Sequence, residues 1–193
     1  KRTISILLIL TLLLSLMPAA AFAASSEHPT RVAFTNVNNK RIVLKDGQYL
    51  AANDASEVQN APKDGSAPAS YVIWYQNGVL TLNGYHGQDI DIDYGEEATV
   101  KLIGKNSITS TSEDHTVNDG LSCYGNILIT ADAVSGGSLL IEAKSNSDKN
   151  YSPRGISIND GELTIGGYAD ITIIATANNP KNEYDPSYGI MGE

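Results

Sequence analysis

The chain has little that could fasten it covalently or tether it by charge. It contains one cysteine, Cys123, so no internal disulfide can form and stability has to come from a packed core. Phenylalanine is down to two residues and tryptophan to one, Trp74, against ten tyrosines. Basic residues are scarce, 13 Lys and Arg against 22 Asp and Glu. A surface this acidic repels nucleic acid and anionic membranes, so neither is an expected partner. No His or Cys cluster supports a transition metal, and no Ser-His-Asp or glycine-rich phosphate motif is present. Ser135-Gly136-Gly137-Ser138 reads as a corner between strands, not as a loop opening a helix. Helix-forming segments are nearly absent beyond the first residues. Thr, Ile, Gly, Asn, Ser and Tyr dominate, a composition that suits strands and tight turns.

Long apolar runs are missing too, with one exception at the start. Ile4 to Leu16 is interrupted only by Ser5, Thr11 and Ser15, after the positive Lys1 and Arg2. Pro18 and Ala21-Phe22-Ala23 follow, a small-x-small pattern suited to signal peptidase. Residues 1–23 are therefore expected to be a secretory signal cleaved after Ala23, and the protein to be secreted. The run is shorter than the ~20 residues that span a bilayer, and no cysteine follows it to carry a lipid. Removing Lys1 and Arg2 from the 13 basic residues leaves 11 against 22 acidic ones, a net charge of −11.

What the chain does have is a recurring glycine–apolar phrase. Gly120-Leu121, Gly155-Ile156 and Gly189-Ile190 each open a short alternating run, and Asp89-Ile90 opens a looser copy. Counted from Ile90, Leu121, Ile156 and Ile190, the intervals are 31, 35 and 34 residues. A period in this range marks stacked supersecondary units. The units lie over one another. Ile90 to Asp93 matches Leu121 to Tyr124 and Ile156 to Asn159. Val100-Lys101-Leu102 matches Ile127 to Ile129 and Leu163 to Ile165; Asn106-Ser107-Ile108 matches Leu139 to Ile141 and Ile171 to Ile173. Long polar connections, Asp114 to Asp119, Ser145 to Pro153 and Asn178 to Ser187, close the units.

Three short strands per unit predict an all-β fold: a right-handed, single-stranded parallel β-helix with an N-terminal strand/hairpin cap. The competing architecture is an antiparallel sandwich, which does not explain the recurring triplet order. Strand alternation predicts interior rows of Ile90, Leu121, Ile156 and Ile190; Ile92, Cys123 and Ile158; Val100, Ile127 and Leu163; and Leu102, Ile129 and Ile165. Cys123 reads as a small core residue. An inward Asn106 would satisfy corner backbone groups.

Ahead of the repeats, Ser25 to about Thr30 is expected to be disordered. Arg31 to Leu50 reads as a strand pair with a hairpin signal at Asp46-Gly47, and Ala51 to Ser70 as a long loop. This segment would cover the open edge of the first coil. Asn77-Gly78 is a second tight-turn signal. The expected organisation is signal 1–23, cap and loop 24–70, and repeats 71–193. The chain is read as a fragment, since it lacks an initial Met and stops just after a new repeat has opened.

The phrases Asn77 to Tyr85 and Val100 to Thr109, and Gly155-Ile156 followed by Gly161 to Gly167, resemble β-helix repeats of secreted Gram-positive proteins. These include the clostridial carbohydrate-binding β-helix family. The resemblance covers about Arg41 to the end. It implies a pectate-lyase-like fold, a cell-surface or extracellular location, binding of plant-type polysaccharide and often calcium.

Asp89-Ile90-Asp91-Ile92-Asp93-Tyr94-Gly95 looks at first like a calcium loop. An EF-hand needs glycine at position 6 and glutamate at position 12. Here Gly95 falls at position 7 and Val100 at position 12, and the alternation argues for a strand. Asp89, Asp91 and Asp93 would project from one outer face about 7 Å apart. They read as a solvated acidic face or as a calcium site shared with a neighbouring coil. The tyrosine bias suits sugar recognition, because a flat ring stacks on C–H faces while its hydroxyl stays wet. Trp74, Tyr85, Tyr94 and Tyr124 are the aromatic candidates, although Trp74 could equally pack beneath the cap. Catalysis has weak support. Arg154 and Lys101 or Lys105 lack a basic row, and His86 and His115 lack a paired motif.

The expectation is a non-catalytic module that binds extracellular polysaccharide through Asp91, Asp93, Tyr94, Tyr124, Ser157 and Asn159. No cofactor is required, and calcium at Asp89, Asp91 and Asp93 is an option. The alternatives are an adhesive cell-surface stalk without its own ligand, and a pectin-type lyase or hydrolase. Neither the sugar nor the oligomeric state is legible in the sequence.

Overall fold

The computed structural model describes residues 28–93, 95–112, 119–145, 152–177 and 187–192. Among them there is no helix, and strands joined in an open mixed sheet make up 64%. The N-terminal strands are β1 (Arg31–Asn36), β2 (Arg41–Lys45), β3 (Gln48–Leu50), β4 (Gln59–Asn60), β5 (Ile73–Gln76), β6 (Val79–Asn83) and β7 (His86–Ile92). Then come β8 (Glu97–Ser112), β9 (Asp119–Tyr124), β10 (Asn126–Ala131) and β11 (Gly137–Ser145). The last are β12 (Arg154–Asn159), β13 (Leu163–Ile165), β14 (Ala169–Ala177) and β15 (Tyr188–Gly192).

Strands β6 to β15 pair in parallel along three ladders. In the first, β7, β9, β12 and β15 stack with Ile90 beside Leu121, Leu121 beside Ile156 and Ile156 beside Ile190. Ile92, Cys123 and Ile158 form the next row, all buried. In the second ladder β6, β8, β10 and β13 stack; in the third, the end of β8, β11 and β14. Asn106 lies beside Leu139 and Leu139 beside Ile171, as the sequence alignment predicts. Each Ile or Leu buried in these rows is worth roughly 1.5–3 kcal/mol.

The second ladder differs from the expected register. Ile127 lies beside Ala98 and Ile129 beside Val100, so β8 is shifted by two residues from the proposed rows. The rows are Ala98–Ile127–Leu163 and Leu80–Val100–Ile129–Ile165, and burial fades on their last strand, where Leu163 is half-buried and Ile165 exposed; Ile190, expected inside at the end of the first ladder, is likewise exposed. The cause is the first corner. It is two residues shorter than the expected rows required: five residues separate Ile92 from Ala98 where seven were allowed before Val100, against three between Cys123 and Ile127. A slip of two keeps every side chain on its own face, so burial patterning could not reveal it. Nor is the first unit divided into separate second and third strands. β8 runs continuously through both ladders, bending at Gly104 (φ 64°).

The recurring glycine has a packing cause. A Cβ on Gly120 would run into Ile141 Cγ2, and one on Gly155 into Ile173 Cγ2, in the third ladder. The first and third ladders approach too closely there for any side chain.

The N-terminal segment covers the starting edges. β1 pairs antiparallel with β7, and β2 with β1. The β1–β2 turn is organised by buried Asn36, whose Oδ1 accepts from the Asn38 and Lys40 amides at 3.0 Å each. This corrects the expected hairpin at Asp46-Gly47. That turn carries the chain out of β2 into β3, whose partners are β4 and β5. The Asn77-Gly78 turn does close a hairpin, β5–β6, with φ of 49° and 76°. Two left-handed residues are what such a turn requires. Residues 28–30 are not loose as expected. Pro29 is buried and its carbonyl accepts a hydrogen bond from the Tyr75 hydroxyl. The long connections fall mostly outside the described residues.

Candidate functional site

The outward face of the first ladder, extended by the cap, forms one surface across β2, β1, β7, β9 and β12. Register fixes its rows. Val43, Ala33, Asp91, Ser122 and Ser157 occupy successive strands in one row. In the next, Lys45 lies beside Arg31, Asp93 donates its amide to the Arg31 carbonyl at 3.3 Å, and Tyr124 lies beside Asn159. Small residues make the floor of the first row, and longer polar ones rise beside it. The result is a groove of about 510 Å³ bordered by Arg31, Arg41, Asp91, Asp93, Tyr124 and Asn159.

The groove is electrostatically mixed. The Arg41 guanidinium bridges Asp89 and Asp91, and Arg31 Nε lies 3.0 Å from Asp93 Oδ2. Ser122 Oγ donates to Asp91 Oδ1 at 2.6 Å. At the groove's end Asp119 faces Arg154 at 3.9 Å. Exposed pairs of this kind add little stability, ~0.2–1 kcal/mol each. They do fix donors and acceptors in a set order.

The predicted site residues separate accordingly. Asp91, Asp93, Tyr124 and Asn159 come together, with Tyr124 49% exposed. Tyr94 lies outside the described residues. Ser157 is on the expected row but completely buried, which corrects its expected role as a surface contact. Its Oγ has no hydrogen-bond partner among the described residues. Tyr85 is also buried, packed edge-to-face on Phe34 at 5.8 Å, and so is not an exposed stacking surface. Burial pushes its phenol well above the usual range, with Asp89 adding to the rise. Trp74 is half-buried against Tyr71, ring centres 5.7 Å apart, on β5 beside the second ladder and away from this groove.

The aspartate ladder does not fit a calcium ion. Calcium takes six to eight oxygens at about 2.3–2.6 Å. Here Arg41 sits between Asp89 and Asp91, and Arg31 holds Asp93. A cation would have to displace both guanidiniums. No group of three or more acidic, His or Cys side chains converges on a metal position among the described residues.

Cys123 is buried in the interior, and desolvation pushes its thiol up to about 12. His86 pairs with Ser107 Oγ at 2.7 Å outside the groove. His115 lies outside the described residues.

Sequence reasoning missed Arg31, Arg41 and Ser122. Ser122 was within reach, because it aligns with Asp91 in the repeat overlay. The arginines alternate outward on their strands, but only the antiparallel β1–β7 register brings them to the aspartates. The chain matches no family model, no curated protein and no solved structure.

Proposed function

We propose that the protein is a secreted, non-catalytic, right-handed parallel β-helix module that binds an extracellular polysaccharide in the groove of its first outer face. The carrying observation is the exposed Tyr124 ring set beside ordered guanidinium, carboxylate and amide groups in one groove. A sugar presents a flat C–H face and a rim of hydroxyls. The ring takes the first, and Arg31, Asp93 and Asn159 exchange hydrogen bonds with the second. The paired charges favour a neutral glycan over a polyuronate, because each aspartate already has a cationic partner. Ligand pockets commonly hold ~300–1,000 Å³, and the groove falls in that range. The three parallel ladders support the β-helix reading, and the β-helix resemblance supports the plant-type polysaccharide.

Pulldown on insoluble polysaccharides and a glycan array, with and without chelator, test the proposal. Retention that persists in chelator and weakens about tenfold in Tyr124→Ala is expected, a loss of ~1.4 kcal/mol. No retention on any glycan removes the binding claim.

A further inference from the structure

A second groove, of about 410 Å³, lies on the outer face of the second ladder. Trp74, Thr81 and Lys101 share one cross-strand row over β5, β6 and β8, and Gln76 lies beside Val79 in the next. Tyr71 meets Trp74 edge-to-face, at 63° between planes. The loop through Gly65 and Ala67 forms the opposite lip. Gly65 sits so close to the Gln76 amide that a Cβ there would come within 3.1 Å of its nitrogen.

Two polar atoms in this lining are unsatisfied. Trp74 Nε1 and Gln76 Oε1 are both buried without a hydrogen-bond partner among the described residues. One is a donor and the other an acceptor. Buried polar groups left so are costly, each ~1–3 kcal/mol, and call for a partner. Lys101 is the one charged residue among those lining the groove, and its ammonium is held by Asp132 at 2.7 Å.

The geometry points to a second glycan subsite here, taking a neutral pyranose unit against the Trp74–Tyr71 pair. An aromatic floor fits the sugar's C–H face. Trp74 Nε1 can donate to a sugar hydroxyl and Gln76 Oε1 can accept from one, whereas an apolar ligand could satisfy neither. The ion-paired Lys101 leaves no cation to select an acidic sugar. The site stands on a different ladder from the Tyr124 groove and does not depend on it.

Trp74 is the chain's one tryptophan, so intrinsic tryptophan emission reports on this groove directly. Titrations with cello-, xylo-, manno- and galacto-oligosaccharides are expected to give a saturable emission shift with at least one of them. The shift should survive in Tyr124→Ala. It should need at least tenfold more sugar in Tyr71→Ala and in Gln76→Ala, with each variant's fold checked by circular dichroism. Three outcomes overturn the proposal: emission unchanged by every oligosaccharide, a shift that keeps full affinity in both lining variants, or a shift that disappears in Tyr124→Ala.

Discussion

Replacing Asn106 by leucine sets two physical effects against each other inside the stack. Asn106 is 3% exposed and shares its interior row with Leu139 and Ile171. A leucine there would match its neighbours and add apolar burial, a gain of up to ~1.5–3 kcal/mol. Against this stand four backbone contacts. Asn106 Oδ1 accepts from the Tyr85 amide at 2.9 Å. Its Nδ2 faces the carbonyls of Ile103 at 3.2 Å, Gly104 at 3.4 Å and Ser138 at 3.1 Å. Losing them strands the Tyr85 N–H in the interior, at ~1–3 kcal/mol, and removes about 1 kcal/mol for each good bond to a carbonyl. The bonds at 3.1 and 3.2 Å count fully and the one at 3.4 Å little, so the polar loss is ~3–5 kcal/mol. Taking the middle of each range, leucine is expected to destabilise by ~2 kcal/mol net, and alanine, which lacks the apolar gain, by more. With a urea slope of ~2 kcal/mol/M, Asn106→Leu should unfold ~1 M urea earlier at unchanged slope. Far-ultraviolet circular dichroism during urea titration reads this out. A leucine variant as stable as the parent would refute the corner-satisfaction argument and make Asn106 an ordinary row position.

The glycine repeat gives a contrast within one series. Gly155→Ala should cost ~1–3 kcal/mol by overpacking against Ile173, whereas Gly189→Ala, which meets nothing within 4 Å, should change melting little. Equal melting temperatures for the two variants would sink the close-approach argument. Stability should also fall on the alkaline side. Burial holds Cys123 and Tyr75 near 12 when folded, from 9.0 and 10.0, and Tyr85 higher still. The unfolded chain then loses protons first, so stability is full below pH ~9 and declines as pH rises toward ~12. Urea midpoints measured from pH 8 to 11 test this; a flat profile contradicts it. In the folded state Cys123 should resist a thiol reagent at pH 8 and react fully in denaturant, and fast native labelling would place it outside the core.

How far the fold was legible depended on which force wrote each part. The first and third ladders were readable because alternation and the glycine phrase both encode packing, and packing is local in register. The second ladder's two-residue slip was invisible, since the side-chain period is two and the corner length is not encoded by burial. The Asp46-Gly47 signal marked a real turn (Gly47 has φ 74°) but not its partner strands. Partnering is decided by tertiary contacts: the Gly47 amide donates to the Tyr75 carbonyl at 2.9 Å, and β3 joins β5. Turn chemistry specifies a bend, and only the surrounding sheet specifies what the bend connects.

The same division governs the grooves. Asp91, Asp93, Tyr124 and Asn159 could be set on one face from repeat alignment, because β7, β9 and β12 pair in parallel register. What that alignment could not supply was the neighbour arriving from the other direction. β1 runs antiparallel to the repeats and caps their edge, so no periodicity links Arg31 or Arg41 to the aspartates. Their arrival changes the chemistry of the face. An unpaired ladder of carboxylates would demand a metal ion or a basic partner; a ladder already bridged by guanidiniums presents alternating donors and acceptors to a neutral ligand. The cap thus closes an exposed strand edge and, in the same contact, converts a repulsive acidic row into a hydrogen-bonding surface. Arg41→Ala separates the two roles. The antiparallel pairing of β1 with β7 should persist, while Asp89 and Asp91 lose their counter-charge and the face gains affinity for divalent cations, measurable by calcium titration calorimetry. If the variant takes up no more calcium than the parent, the arginine is not what keeps the ladder from acting as a metal site.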